Sequence, residues 1–302
     1  MPTVRAKPPN IARRRQNLAA YTLTMPFMAA FALMIAVPLV YAGYLSFFKK
    51  QLIGGVSFVG LDNYTRALTD PSFLGGVGRM SLFLIIQVPV MLGLSLLFAL
   101  VLDSGMVRLQ KFIRLGVFVP YAIPSVVATL MWGYLYGKDF GPFAQLAKSL
   151  GLPAPDFLAG GNALFSIMNI VTWGFVGYNM IVMYAALRSV PTELYEAAKV
   201  DGAGELRVAW SIKIPAIRGA LLLTTIFSVI GSFQLFNEPN LLRVIAPVAI
   251  SQDYTPNMYA YQLSFVNQDS NYAAAIAFLL GIVIMGVSYA VQLTANRRGT
   301  ES

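Results

Sequence analysis

The sequence predicts an all-α integral membrane protein built from six helical spans, and three observations carry that expectation. Apolar residues make up 57% of the 302 positions and charged residues only 12%, whereas a soluble domain of this size is about one quarter charged. Six stretches reach the about 20 mostly apolar residues that a bilayer crossing requires, namely 19–48, 80–102, 115–136, 164–187, 219–237 and 272–293, and none of them contains Asp, Glu, Lys or Arg. With the N-terminus inside, 15 of the 22 basic residues and six of the 13 acidic ones fall on the cytoplasmic side, so the whole +9 charge sits there. That is the positive-inside bias of a bacterial inner-membrane protein, here with both termini cytoplasmic.

The chain reads as one membrane domain, 1–302, with a basic cytoplasmic tail over 1–18. Arg13, Arg14 and Arg15 precede the first span in the manner of a signal peptide. Its apolar run continues past the about 7–15 residues of a signal core, so an uncleaved anchor is expected. Between the first two spans, Asp62 is placed to cap a short outer helix with Tyr64, Ala67 and Leu68 on one side. The third span holds Pro120 and Pro124 one turn apart, which removes hydrogen bonds, bends the helix and favours a bundle with a cavity. A Gly- and Pro-rich outer loop follows, and after the fourth span comes the cytoplasmic insert 188–218. The second outer loop, 238–271, carries Tyr254, Tyr259, Tyr261 and Phe265, aromatics that suit either an interfacial belt or the docking of an external partner.

What the sequence lacks narrows the function. There is no Cys and no His, so disulfide, thiol and imidazole chemistry are absent and zinc binding is not expected. No catalytic residue and no metal site is assigned. A membrane enzyme would need acidic or His clusters at a membrane face, and a nucleic-acid binder an accessible basic domain interleaved with aromatics. Ion-driven carriers keep ionisable groups at membrane depth despite a cost of about 2.5–3.5 kcal/mol each. The six spans hold none, and the chain has no G-x-x-x-x-G-K-[ST] phosphate loop. Energy for transport must therefore arrive from another subunit through the cytoplasmic side.

The insert 188–218 is the natural entry point. Pro191 suits a first helical turn and Glu193 the positive end of its dipole. Ala197 and Ala198 leave a small-residue surface, Gly202 and Gly204 permit a sharp turn, and a second short helix over 205–210 is ended by Pro215. The product is a helix-turn-helix elbow, or else a plain amphipathic loop with an incidental Glu196/Lys199 pair. The residues Glu196-Ala197-Ala198, three positions, Gly202, nine positions, then Ile212-Lys213-Ile214-Pro215 resemble the EAA loop of ABC importer permeases, E-A-A, three residues, G, nine residues, I-x-L-P. Only Ile214 departs from the pattern, and it keeps size and apolarity.

That resemblance implies a six-helix permease bundle whose coupling loop seats in a cleft of a cytoplasmic ATPase. Glu196, Ala197, Ala198, Asp201, Gly202, Ile212, Ile214 and Pro215 would form the contact, with Glu196 touching the ATPase and Asp201 and Gly202 shaping the turn. It further implies two copies of that ATPase, which binds the ATP and Mg, and an extracellular or periplasmic solute-binding protein. Because six helices are few for a gated path, a second, homologous permease is expected to complete the pore as a heterodimer.

For the solute, an uncharged interior suits a neutral hydrophilic molecule such as a sugar, bound through hydroxyls, amides and aromatic faces. Spans four and five supply Trp173, Tyr178, Ser228, Ser232, Phe233, Gln234 and Asn237, which serve either that purpose or helix–helix adhesion. The Phe58–Leu68 segment, Trp173, Tyr178, Val190-Pro191, Glu193-Leu194-Tyr195 and Asp201-Gly202-Ala203 are similar to the carbohydrate branch of the family, the maltose-importer type. Val171, Phe175 and Leu235 depart from the pocket of that type. The alternative is an importer of glycerol phosphate or another small polar solute, for which only Arg79 and Arg243, at the outer margins, offer positive charge.

Overall fold

The computed structural model describes residues 10–51, 54–105 and 107–300. Residues 1–9 of the expected basic tail 1–18, with Arg5 and Lys7, and the C-terminal Ser302 lie outside the described residues.

Helix α1, Asn10–Phe31, passes through a π-helical turn, Ala32–Ala36, into α2, Val37–Ser46, as one span. Pro38 has no N–H to give the Met34 carbonyl, and the helix widens just before it. Phe48, expected at the end of this span, instead opens strand β1, Phe48–Lys50, paired antiparallel with β2, Val56–Phe58. This hairpin is an addition to the all-α expectation. Asn63 fixes the exit by donating its amide to the carbonyls of Ser46 and Phe48, both at 2.8 Å.

The short helix α3, Asp62–Ala67, forms where expected, but Leu61 holds the N-cap position and no side chain caps it. Asp62 lies inside its first turn, and Asn63 and Ala67, rather than Tyr64 and Leu68, face inward. Helix α4, Pro71–Asp103, begins nine residues before the apolar run, because Asp70 caps it by accepting from Ser72 N–H at 2.9 Å and Pro71 is preorganised for the first turn. The helix therefore contains Arg79 and Asp103, so the charge-free reading holds only for its interior.

The third span is corrected more strongly. Helix α5, Gln110–Ala122, and α6, Ser125–Leu135, meet at 96°. Ile123 precedes Pro124 and is driven to an extended conformation, φ −80° and ψ 128°, because a proline ring excludes helical geometry from the residue before it. Helix α7, Pro142–Ser149, lies in the loop that follows α6, and α8, Asn162–Leu187, is the fourth span.

The insert 188–218 folds as α9, Thr192–Val200, then α10, Glu205–Val208, a π-helical turn, Ala209–Lys213, and α11, Ile214–Ala216. Pro215 lies inside this second arm and does not end it; the break falls at Ile217, before α12, Arg218–Phe233. Helix α13, Asn237–Leu242, resumes after a short gap, and α14, Pro256–Tyr261, packs on α4. The last span is α15, Ser270–Thr300.

Helices α4 and α8 form the central pair, with α5 on α8, α12 on α4 and α15 on α12. Gly177 makes one of these contacts possible: a Cβ there would stand 2.0 Å from the Val117 carbonyl oxygen of α5. Phe83, Met80, Ile167, Phe233, Tyr272 and Ile276 fill the core at 1% exposure or less. The first span packs through α2 on α15 while its most apolar window stays uncovered.

Candidate solute cavity and coupling elbow

Helix α12 is interrupted at Gln234–Phe236, and the interruption creates a cavity. Pro239 cannot donate to the Leu235 carbonyl and its ring would collide with it, so the helix cannot run through. Thr255 Oγ1 donates to the freed Leu235 carbonyl at 3.0 Å and Asn257 Nδ2 to that of Phe233 at 3.5 Å. Broken helices at membrane depth commonly border solute sites, since unwound backbone persists only where protein or a cavity satisfies it.

The cavity beside the break measures about 220 Å3 and lies between α4, α8 and α12. Its polar lining comes from Gln87, Tyr178, Asn179, Ser228, Ser232, Gln234, Asn237 and Glu238. The rest is apolar, with Phe83, Val171, Phe175, Phe227, Leu235 and Phe236 among the walls. A neighbouring cavity of about 310 Å3 opens at the 96° bend between α5 and α6 and shares Val171, Phe175 and Glu238 with the first. Asn237 Nδ2 reaches Ser125 Oγ at 3.5 Å across the seam.

Side-chain placement follows from helix phase. Tyr178 stacks on Tyr121 with centroids 4.8 Å apart and planes 23° apart, and Phe175 meets the same Tyr121 ring edge-on at 5.7 Å. These three rings form an aromatic wall along both cavities. Gln87 donates to Thr172 Oγ1 at 3.3 Å, and Ser95 to the Val176 carbonyl at 2.9 Å, binding α4 to α8. Ser232 spends its hydroxyl on the Ser228 carbonyl at 2.8 Å.

Five of the seven residues expected at the solute site, Tyr178, Ser228, Ser232, Gln234 and Asn237, line the cavity beside the α12 break. Two do not. Phe233 is 1% exposed inside the core, and Trp173 turns edge-on to Trp132 at 5.8 Å. Gln87 and Glu238 are additions. Gln87 is the lone amide in an apolar run, a signal the sequence offered; Glu238 was assigned to the outer loop because the apolar run ends at Asn237. Neither cavity is lined by Lys or Arg among the described residues. Arg79 is turned away to the carbonyls of Tyr254 and Asp253, at 2.8 and 3.1 Å.

At the opposite end, the elbow is closed by a Schellman turn. Gly202 takes φ +79°, its N–H bonds the Lys199 carbonyl at 3.0 Å and Ala203 N–H the Ala198 carbonyl at 2.9 Å. Only glycine adopts that φ without strain. Asp201 is the C-cap residue of α9. Lys199 pairs with Glu205 at 3.4 Å, joining the two arms, rather than with Glu196. Glu196, Ala197 and Pro215 are exposed, Ile212 and Ile214 are half-buried, and Ala198 faces inward at 9% exposure. The small-residue surface is thus Ala197 alone, flanked by exposed Val200, Leu206 and Trp210.

Beneath the elbow lies a buried ion pair that the charge-free spans gave no reason to expect: Lys213 Nζ sits 2.7 Å from Asp103 Oδ2, with side-chain exposures of 6% and 4%. The same Nζ stands 5.0 Å from the centre of the Tyr195 ring. Burial, and next the Asp103 carboxylate, push the Tyr195 phenol above its usual pKa.

Residues 92–298 match the family described as the inner membrane component of binding-protein-dependent transport systems. The chain is 32% identical over 294 residues to a diacetylchitobiose uptake system permease of Streptomyces coelicolor, covering 92% of this chain and 86% of the relative. It is 29% identical to an arabinooligosaccharide transport system permease of Halalkalibacterium halodurans, covering 90% and 86%. In fold it is similar to a chain of a bacterial ABC transporter that imports the acidic polysaccharide alginate, with a TM-score of 0.81 at 19% identity over 94% of this chain and 96% of that one.

Proposed function

The chain belongs to the family of inner membrane components of binding-protein-dependent transport systems, and on that premise we propose that it is the permease subunit of an ATP-driven importer of sugars or oligosaccharides. The observation that carries the reading is the cavity at the α12 break. Its hydroxyls, amides and the Tyr121, Phe175 and Tyr178 rings are the groups that bind saccharides. The diacetylchitobiose and arabinooligosaccharide permeases among its relatives support the same solute class. The glycerol phosphate alternative is weaker, since a carboxyl, Glu238, and no cation lines the cavities.

In this reading Tyr178, Ser228, Gln234 and Asn237 meet the solute, with Gln87 and Glu238 beside them. The elbow takes the movement of a cytoplasmic ATPase, present in two copies, which holds the ATP and Mg. A second permease, similar but not identical, closes the other half of the path. A solute-binding protein delivers from outside, and both termini of this chain are cytoplasmic. The uncovered apolar flank of the first span and the incomplete enclosure of the cavity are consistent with such a partner.

The test is uptake by proteoliposomes holding both permeases and the ATPase, with the binding protein and labelled di- and oligosaccharides added outside. ATP-dependent accumulation of a saccharide is expected. Accumulation of glycerol phosphate with no saccharide transported would replace this reading by the alternative.

A further inference from the structure

We propose that the buried Asp103–Lys213 pair is the joint that fixes the coupling elbow to helix α4, so that displacement of the elbow is delivered to the wall of the solute cavity; the inference rests on the importer reading above. The pair unites two segments that are distant in sequence. Asp103 is the last residue of α4, and Lys213 the last of the π-helical turn within the second elbow arm. Tyr195, on the first arm, places its ring 5.0 Å from the ammonium, so both arms meet at Lys213, which holds the carboxylate. Helix α4 also supplies Phe83, Gln87 and Met91 to the cavity. Between Gln87 and Asp103 the chain stays helical through Pro89 and advances about 1.5 Å per residue, roughly 24 Å in all.

Stability alone does not account for charges at this place. Two ions withdrawn from water lose their hydration, and well-packed apolar residues of the same volume usually hold a fold as well or better. Here the apolar alternative is at hand, because Ala99, Leu102, Leu187 and Ile217 already pack together as a neighbouring cluster. What an ion pair adds is register: its energy falls off with small displacements, whereas apolar side chains slide past one another at little cost. The π-turn that ends at Lys213 widens the helix, a feature often found where a side chain has to be re-aimed for function. The E-A-A…I-x-L-P pattern leaves the position of Lys213 unspecified, so the resemblance assigns it no role.

The test uses the chain's natural lack of cysteine. Spin labels at Leu97→Cys on α4 and Val200→Cys on α9, both exposed sites, report the elbow-to-helix distance in the full chain in nanodiscs. The double variant Asp103→Leu/Lys213→Met removes both charges and leaves none stranded, and the swapped pair Asp103→Lys/Lys213→Asp restores attraction. The expected result is a single narrow distance in the parent and the swap and a broadened one in the apolar double. In proteoliposomes with the ATPase, partner permease and binding protein, the apolar double should assemble and hydrolyse ATP, yet import about tenfold less solute per ATP, with the swap recovering most of it. An unchanged distance distribution, or a parental solute-to-ATP ratio in the apolar double, would overturn the joint. The distance measurement needs no transport, so a parent that imports no saccharide sinks the importer reading and leaves the joint to be judged by the labels.

Discussion

Asp70 and Tyr272, 202 positions apart in sequence, meet at 2.6 Å where α4 begins, the Tyr272 hydroxyl donating to the Asp70 carboxylate. Tyr259 donates to the same oxygen at 2.6 Å, and the Arg66 guanidinium lies 3.7 Å from the centre of the Tyr272 ring. One carboxylate thus ties the start of α4 to α14 and α15, at the end remote from the elbow. The coupling end moves in the proposed cycle; this end is pinned.

The first prediction concerns pH. Burial raises the Asp70 carboxyl, but hydrogen bonds from Tyr259, Tyr272 and the Ser72 and Phe73 amides outweigh it and hold the group below its usual value. A lowered folded-state pKa stabilises the fold above the unfolded value, about 3.9, and that contribution is lost as pH falls through the folded value. Asp70→Asn should lower the melting midpoint in detergent at pH 7, at a cost of about 1–2 kcal/mol given the partial exposure. The difference from the parent should shrink as pH falls below about 3.9 and be lost once the pH passes below the lowered folded-state value. A gap that persists unchanged to pH 3 would show that the charge is not the source.

Much of this architecture is legible in the sequence, because twenty-residue apolar runs leave a chain few options in a bilayer. Spans two, four, five and six fall within a few residues of their runs at one end or both. The misreadings share a cause: local composition does not encode which carbonyls find partners. Pro120 and Pro124 announced a bend, yet the 96° break came from Ile123 leaving helical geometry, with α6 free to pack on α13. Glu238 looked like loop because the apolar run had ended, while Thr255 and Asn257, residues of a distant segment, satisfy the backbone that lets the chain turn back into the cavity wall. Lys213 and Asp103 lie 110 positions apart, and only their meeting in the fold makes them a buried pair.

A second prediction isolates the α5–α8 contact. In Gly177→Ala the new methyl would lie 2.0 Å from the Val117 carbonyl oxygen and 2.7 Å from Phe118 Cα, main-chain atoms that cannot rotate aside. Overpacking of this kind costs about 1–3 kcal/mol or more. Gly174→Ala, three residues away with nothing within 4 Å, should be neutral or slightly stabilising. Equal melting midpoints for the two variants would refute the close packing.

Third, the cavity should discriminate by charge. Glu238 lines both cavities and no Lys or Arg does, so an acidic oligosaccharide should compete poorly with a neutral one of equal length. Glu238→Gln should leave neutral uptake within a few-fold and improve competition by the acidic sugar, since like charges a few ångströms apart at an effective dielectric near 20 repel by about 4 kcal/mol at most. Competition uptake assays decide it, and an acidic sugar that competes equally in the parent would remove Glu238 from the path.

Fourth, Gln234→Leu keeps bulk and removes both hydrogen-bonding groups at the mouth of the break. Leaving a solute hydroxyl unpaired should weaken uptake by about 1–3 kcal/mol with basal ATP turnover unchanged. Tyr178→Ala removes the ring stacked on Tyr121 and should act in the same direction. Parental uptake by both variants at normal expression would place the path elsewhere.

Last, the elbow. Glu196, Val200, Leu206 and Trp210 form an exposed mixed face, the character of a surface that is covered in an assembly rather than wetted alone. Its charge belongs to Glu196, so Glu196→Lys should leave the chain inserted and folded, because the side chain makes no buried contact, while weakening capture of the ATPase and abolishing transport. Gly202→Val acts by a different route. With φ at +79°, a β-branched residue is strained by about 1–2 kcal/mol or more and the Schellman turn opens, so α9 and α10 lose their angle. Co-purification of the ATPase separates the two: reversed charge should reduce it directly, whereas the opened turn should also change the cysteine accessibility of Ala203→Cys. That label should be unreachable by an impermeant reagent in intact, wall-stripped cells and reachable in inverted vesicles. Labelling in the intact cells would invert the topology, and with it the assignment of the elbow to the ATPase side.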